Sequence, residues 1–160
     1  MTLIELVQAE FSNSFQATPP AIVALRLGAA VLFGGMIGIE REVNAEGAGL
    51  RTHILVSLAA CLFALIAFEM LADPTGKGSD PLRLIEAVTA GVAFLAAGSI
   101  ITSGGKVRGL TTGAGMWMAG AAGLACGVGN IALGAMASVT AVIVLWIFQR
   151  FSKRLSGSDR

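Results

Sequence analysis

The sequence has no tyrosine, one histidine, two cysteines, and no lysine or arginine before residue 26. Each shortage excludes something. Charged residues make up 13% of the 160 positions, about half the share of a soluble globular domain. The formal net charge is +1, and no basic arm interleaved with aromatics is present, so nucleic acid is not an expected partner. A lone His53 and the separated Cys61 and Cys126 form neither a metal cluster nor a nucleophile–base pair. Gly-x-Ser-x-Gly is missing, and so are the paired aspartates or Ser–His dyad of an intramembrane protease. The expectation is therefore a protein that is not an enzyme. The opening MTLIELVQAEF carries two acids and no base, unlike a secretory signal, and is expected to stay in the mature chain.

In place of charge the sequence has 55% hydrophobic residues and 21 glycines. Glycine in long apolar runs is typical of helices packed closely in lipid. Five stretches approach the ~20 apolar residues that a bilayer crossing needs: 21–39, 52–72, 84–101, 110–127 and 131–148. Leu3, Val7, Phe11 and Phe15 recur every fourth residue within 2–16, with Glu5 and Glu10 off that stripe, which predicts an amphipathic interfacial helix. Pro19-Pro20 ends it. The expected fold is an all-α polytopic membrane protein. An interfacial helix over 1–18 precedes five transmembrane helices over 19–150 and a short basic tail over 151–160.

With the N-terminus outside, Arg41, Arg51, Lys106, Arg108, Arg150, Lys153, Arg154 and Arg160 lie inside, and only Lys77 and Arg83 lie outside. That asymmetry orients the C-terminus to the cytoplasm. Phe33–His53 and Phe94–Gly113 share a plan: a Phe, small residues, a polar Gly-bearing loop, then Gly-Leu-x-Thr. Two parallel helical hairpins are one reading of it, and chance similarity of Gly-rich turns is the other.

The candidate functional residues cluster in those loops. Glu40, Arg41 and Glu42 either close the first loop as a salt-bridge network or supply oxygen ligands to Mg²⁺ from Glu40 and Glu42. Arg51 is expected to pair with Glu40 or Glu42, Thr52 to cap the second span, and His53 to make a structural hydrogen bond. The second loop fails the phosphate-loop pattern, because Val107 stands where Ser or Thr must follow the Lys. Lys106 and Arg108 suit lipid headgroups or a partner's carboxylates, and Thr111 or Thr112 is expected to cap the fourth span. Within the bilayer, Arg26 is expected to meet Glu69, Glu86 or Asp73, either as a tie between helices or as an outward polar vestibule. Counted at ~1.5 Å per residue, Cys61 lies about 12 Å and Cys126 about 24 Å along their helices, so both are expected as unpaired core residues. Gly34/Gly38, Gly109/Gly113 and Gly123/Gly127 stand at the spacing that lets helices approach.

Gly35–Glu42 (Gly-x-Ile-Gly-x-Glu-Arg-Glu), Ala48–Val56 (Ala-Gly-Leu-Arg-Thr-His-x-Leu-Val), Val107–Thr112 and Trp117–Gly127 resemble motifs of the MgtC/SapB family of bacterial inner-membrane proteins. The resemblance spans about residues 20–150. It implies five membrane helices, an outside N-terminus, a role in low-magnesium adaptation, virulence in some members, and restraint of the proton-translocating ATP synthase. It points to Glu40, Arg41, Glu42, Arg51, Thr52, His53, Arg108, Thr111, Thr112 and Cys126. Two departures stand out. The soluble C-terminal domain resembling ACT modules does not follow the last span, so a short form is expected. Gly91-Val-Ala-Phe-Leu-Ala-Ala-Gly98 also carries alanine at two positions where relatives have glycine.

The leading functional expectation is a non-enzymatic homodimer in the inner membrane that serves magnesium or membrane-energy homeostasis. Its cytoplasmic loops would contact another membrane complex, ATP synthase by resemblance. Membrane lipids are expected partners, no cofactor is expected, and Mg²⁺ is the one ion considered. The alternative is a small ion or solute transporter or channel with the Arg26 vestibule.

Overall fold

The computed structural model describes residues 2–44, 47–72, 80–103 and 105–156. Glu46, Asp73, Lys77 and Arg160 lie outside the described residues. Six helices and one ribbon follow in order. α1 (Leu3–Asn13) starts at a capping box in which the Glu5 N–H donates to Thr2 Oγ1 and the Thr2 N–H to Glu5 Oε2. α2 (Pro20–Val43) begins at Pro20, whose fixed φ suits a first helical position. α3 (Leu50–Ala72) follows. α4 (Pro81–Ser99) is capped by Asp80, which accepts from the Leu82 N–H at 2.9 Å.

The second loop, expected from the sequence as a polar Gly-bearing loop, holds a short β ribbon. β1 (Ile101–Ser103) and β2 (Lys106–Arg108) pair antiparallel, with Ile101 opposite Arg108. α5 (Leu110–Gly127) starts at Gly109, whose φ of +88° is left-handed; a methyl there would also run into the Ser99 carbonyl. The cap expected from Thr111 or Thr112 is thus corrected. α6 (Ile131–Ser156) continues six residues beyond the expected end of the membrane domain.

The protein is an all-α polytopic membrane protein. Pro20–Val43, Leu50–Ala72, Leu82–Ser99 and Ile131–Arg150 are long and apolar enough to cross a bilayer. The fourth expected span, α5, is not among these helices. Five glycines dilute its hydropathy, and they suit its position, because α5 packs on α2, α3, α4 and α6 at once. Small residues there let backbones touch. A methyl on Gly123 would strike the Ser57 carbonyl, and one on Gly127 would lie 2.5 Å from the Cys61 carbonyl.

Cys61 and Cys126 are free and fully buried, and they share one core cluster with Ala30, Phe33 and Leu65. Their expected separation in depth is corrected. α5 is shifted along α3 by a few residues, so that Gly127 comes to lie against Cys61.

Candidate functional site

The end of the bundle that carries the ribbon, here the loop end, gathers most of the charged candidates. The last turn of α2 holds Glu40 and Arg41 side by side. Arg41 Nε donates to Glu40 Oε2 at 2.8 Å, with the two side chains 2% and 8% exposed. Asn44, one turn on, donates from Nδ2 to Glu40 Oε1 at 2.9 Å and to the Glu40 carbonyl at 2.7 Å. The carboxylate is thereby held from two sides, as a desolvated ion pair requires. The pair joins neighbours within α2, and Glu42 is the acid that reaches across the loop. Among the described residues, no group of three or more His, Cys, Asp or Glu is placed to hold a metal ion.

His53 is fully buried in the first turn of α3. Its Nδ1 lies 2.8 Å from the Gly49 carbonyl, which can only accept, so Nδ1 carries the hydrogen. Nε2 is buried with no hydrogen-bond partner among the described residues. A methyl on Gly115 of α5 would lie 2.9 Å from His53 Nε2 and 3.6 Å from Arg41 Cδ. The imidazole and the arginine stem therefore pack together on that one glycine. Thr112 stands one turn before Gly115 on the same face of α5; it is 1% exposed and its hydroxyl is also without a partner among the described residues.

Burial takes Glu40, Arg41, His53 and Thr112 off the surface where loop contacts were expected. Glu42, Arg51, Arg108 and Thr111 remain exposed. Glu42 has a structural duty as well: its Oε2 accepts from the Leu50 N–H at 2.9 Å, so the acid reaching the start of α3 is Glu42, and the cap expected from Thr52 is corrected. Thr52 sits half-buried inside the first turn. The backbone of Lys106 belongs to β2, and its side chain lies outside the described residues.

The opposite end does not assemble the expected vestibule. Arg26 Nη1 donates to the Gly127 carbonyl at 2.8 Å, across 101 residues, and Gly129, with φ of +89°, leaves room for the guanidinium. The terminal carbonyls of a helix need donors and favour a cation, so Arg26 serves the C-terminus of α5. Glu69 instead accepts three backbone N–H groups, from Gln16, Ala17 and Thr18. Glu86 is exposed on α4. The expected partnership of Arg26 with Glu69 or Glu86 is corrected, and Cys126 lies in the apolar core.

Asn44 and Gly115 were missed by sequence reasoning. An Asn four residues after a Glu in a helix's last turn is a local signal for the first. Gly115 has no local signal, because its role depends on α3 lying beside it.

These positions fall inside a stretch, residues 27–154, that matches the model of the MgtC family. The chain belongs to the MgtC family. This MgtC-family chain is 37% identical over 138 residues to YhiD of Escherichia coli (strain K12), described as a candidate magnesium transporter; the match covers 84% of this chain and 64% of YhiD. It is 39% identical over 126 residues to the protein MgtC of Brucella abortus (strain 2308), covering 79% of this chain and 51% of that protein. MgtC of Salmonella typhimurium (strain 14028s / SGSC 2262) is 39% identical over 106 residues, 66% of this chain and 43% of its own length. The MgtC-family chain thus spans less than two thirds of the length of these curated relatives. No solved structure matches it.

Proposed function

We propose that this protein serves magnesium homeostasis in the bacterial inner membrane without catalysis, by presenting its loop end to another membrane complex on the cytoplasmic side. The N-terminus is then outside. Family membership and the description of YhiD support the magnesium part. The observation that carries the contact reading is how the polar side chains along the helices are used. Arg26 bonds a helix end, Glu69 a linker, Ser57 the Ala30 carbonyl at 2.8 Å, and Glu40 its neighbours Arg41 and Asn44. Each serves the fold, whereas Arg51 and Arg108 stand exposed at the loop end. A carrier or channel reading loses its motivating vestibule, since Arg26, Glu69 and Glu86 do not converge. ATP synthase is the partner implied by resemblance, and a homodimer is the assembly proposed.

The test is complementation of a strain lacking this protein in magnesium-poor medium. Arg51→Ala with Arg108→Ala should abolish growth support while membrane levels of the protein stay unchanged. Growth equal to wild type at equal protein level would reject the contact reading.

A further inference from the structure

The end of the molecule opposite the ribbon contains a cavity that the proposed function does not use. The linker between α1 and α2 is folded back on α3. The Gln16 and Ala17 N–H groups donate to Glu69 Oε2 at 3.0 and 2.9 Å, and the Thr18 N–H donates to Oε1 at 3.0 Å. Three consecutive N–H groups converging on one carboxylate form an anion-holding nest, which pins the linker in place. Beside this latch is a cavity of about 660 Å³, within the size range of bound small ligands.

Its lining is chemically divided. Phe15 of the linker, Val23 of α2, and Leu62, Ile66 and Met70 of α3 supply apolar walls, while Ser14, Gln16 and Glu69 are the polar members. Leu62, Ile66 and Met70 are 46%, 46% and 61% exposed on a helix that crosses the membrane, so the open wall faces hydrocarbon. The neighbouring α1 exposes Leu3, Val7 and Phe11, a face that needs lipid beneath it. The charged member of the lining is an acid, Glu69. No lysine or arginine precedes Arg26, and Arg26 is bonded to Gly127. Glu10 stands one turn before Ser14, whose hydroxyl donates to the Glu10 carbonyl.

We propose that this cavity is a lipid site holding one acyl chain of a zwitterionic, amine-headed phospholipid such as phosphatidylethanolamine. Its headgroup lies at Ser14 and Gln16. The Gln16 side-chain amide can donate to a phosphodiester, and the ammonium lies on the side of Glu10 and Glu69. Glu69 and Glu10 repel a net-anionic headgroup there. The inference rests on the membrane character of the fold and is independent of what the loop end contacts.

The experiment uses the full chain reconstituted in vesicles of mixed phosphatidylethanolamine and phosphatidylglycerol, re-extracted in mild detergent, with retained lipid identified by native mass spectrometry. Phosphatidylethanolamine should be retained above its bulk fraction. Leu62→Trp and Ile66→Trp, which fill the cavity from exposed positions, should each weaken retention about tenfold, equivalent to about 1.4 kcal/mol. Leu133→Trp on α6, at a site 53% exposed and away from the cavity, should leave retention unchanged. Glu10→Lys should move the preference toward phosphatidylglycerol. Retention that both tryptophan variants share with wild type overturns the proposal. So does wild-type preference for phosphatidylglycerol, or a chain dimer that Leu62→Trp dissociates, since a second copy would then be the occupant.

Discussion

The hairpin of α2 and α3 and the hairpin of α4 and α5 end in the same way, with Gly49-Leu50 in one and Gly109-Leu110 in the other, yet they are held together differently. In the first, glycines of the leading helix press on the backbone of the following one. Methyls on Gly34 and Gly38 would lie 2.7 Å from the His53 carbonyl and 2.8 Å from Leu50 Cα. In the second, the leading helix α4 has open space around Gly91 and Gly98, and the glycines that matter belong to α5: Gly113 receives Ala96 and Gly120 receives Val92. The first hairpin is closed by a capping glutamate, beside an ion pair buried in the last turn of α2, and the second by a β ribbon. Helix-to-helix distance is therefore decided by which partner lacks a Cβ, not by the shared turn. The helix that supplies glycines to most of its neighbours, α5, becomes the centre. α4 remains peripheral, with Phe94 80% exposed.

The largest expected effect comes from breaking the ion pair buried at the end of the first hairpin's leading helix. Arg41→Met keeps most of the volume but strips Glu40 of its guanidinium in a desolvated place, at a cost of about 3–5 kcal/mol. The measurement is reversible unfolding in detergent, read by helical circular dichroism. A loss no larger than that of a surface arginine such as Arg83 would mean that the pair is solvated.

The next effect sharpens the contrast between the leading helices. Gly34→Ala forces a Cβ against backbone atoms that cannot swing aside, and overpacking of this kind costs about 1–3 kcal/mol. Gly91→Ala, with nothing within 4 Å of the new methyl, should be neutral or more stable by up to about 1 kcal/mol, because alanine is the better helix former. Thermal midpoints of the two variants in the same detergent should move in opposite directions. Equal losses would show that Gly91 has a packing partner, most simply a second copy of the chain.

Much of this architecture was legible in the sequence, and the rest fails for a physical reason. Apolar runs placed α2 through α5 and the start of α6 within a few residues of their observed bounds, since burial in lipid needs no knowledge of neighbours; α6 runs on to Ser156, past the expected end at 148. Thr2 and Glu5 likewise announce a helix start locally. The partners of Arg26 and Glu69 were not legible, because backbone groups carry no residue-type signal. Gly127 offers Arg26 only a carbonyl, and Gln16, Ala17 and Thr18 offer Glu69 only N–H groups. The ribbon was missed because its strands are three residues long, below the length at which alternation stands out. In the candidate site, Glu40 and Arg41 could be read as a pair. That His53 would turn inward onto Gly115 depends on how far α5 slides along α3, which no local pattern encodes.

The smallest effect addresses Ala93 and Ala96 of α4, the two alanines that depart from the motif expected by resemblance. One of them, Ala96, faces Gly113: a methyl on Gly113 would come within 3.2 Å of the Ala96 Cβ. The contact thus holds one methyl between two backbones, and which helix supplies it should matter little. Gly113→Ala alone places two methyls there and should cost about 1 kcal/mol, at the low end of overpacking. Adding Ala96→Gly should return most of that loss, since the two positions share one space and their effects cannot be additive. A double-mutant cycle on the thermal midpoint reads the coupling directly. Additive losses would mean that Ala96 and Gly113 do not share a contact. The second hairpin would then be held by its ribbon alone, and the difference between the two hairpins would be larger than their packing implies.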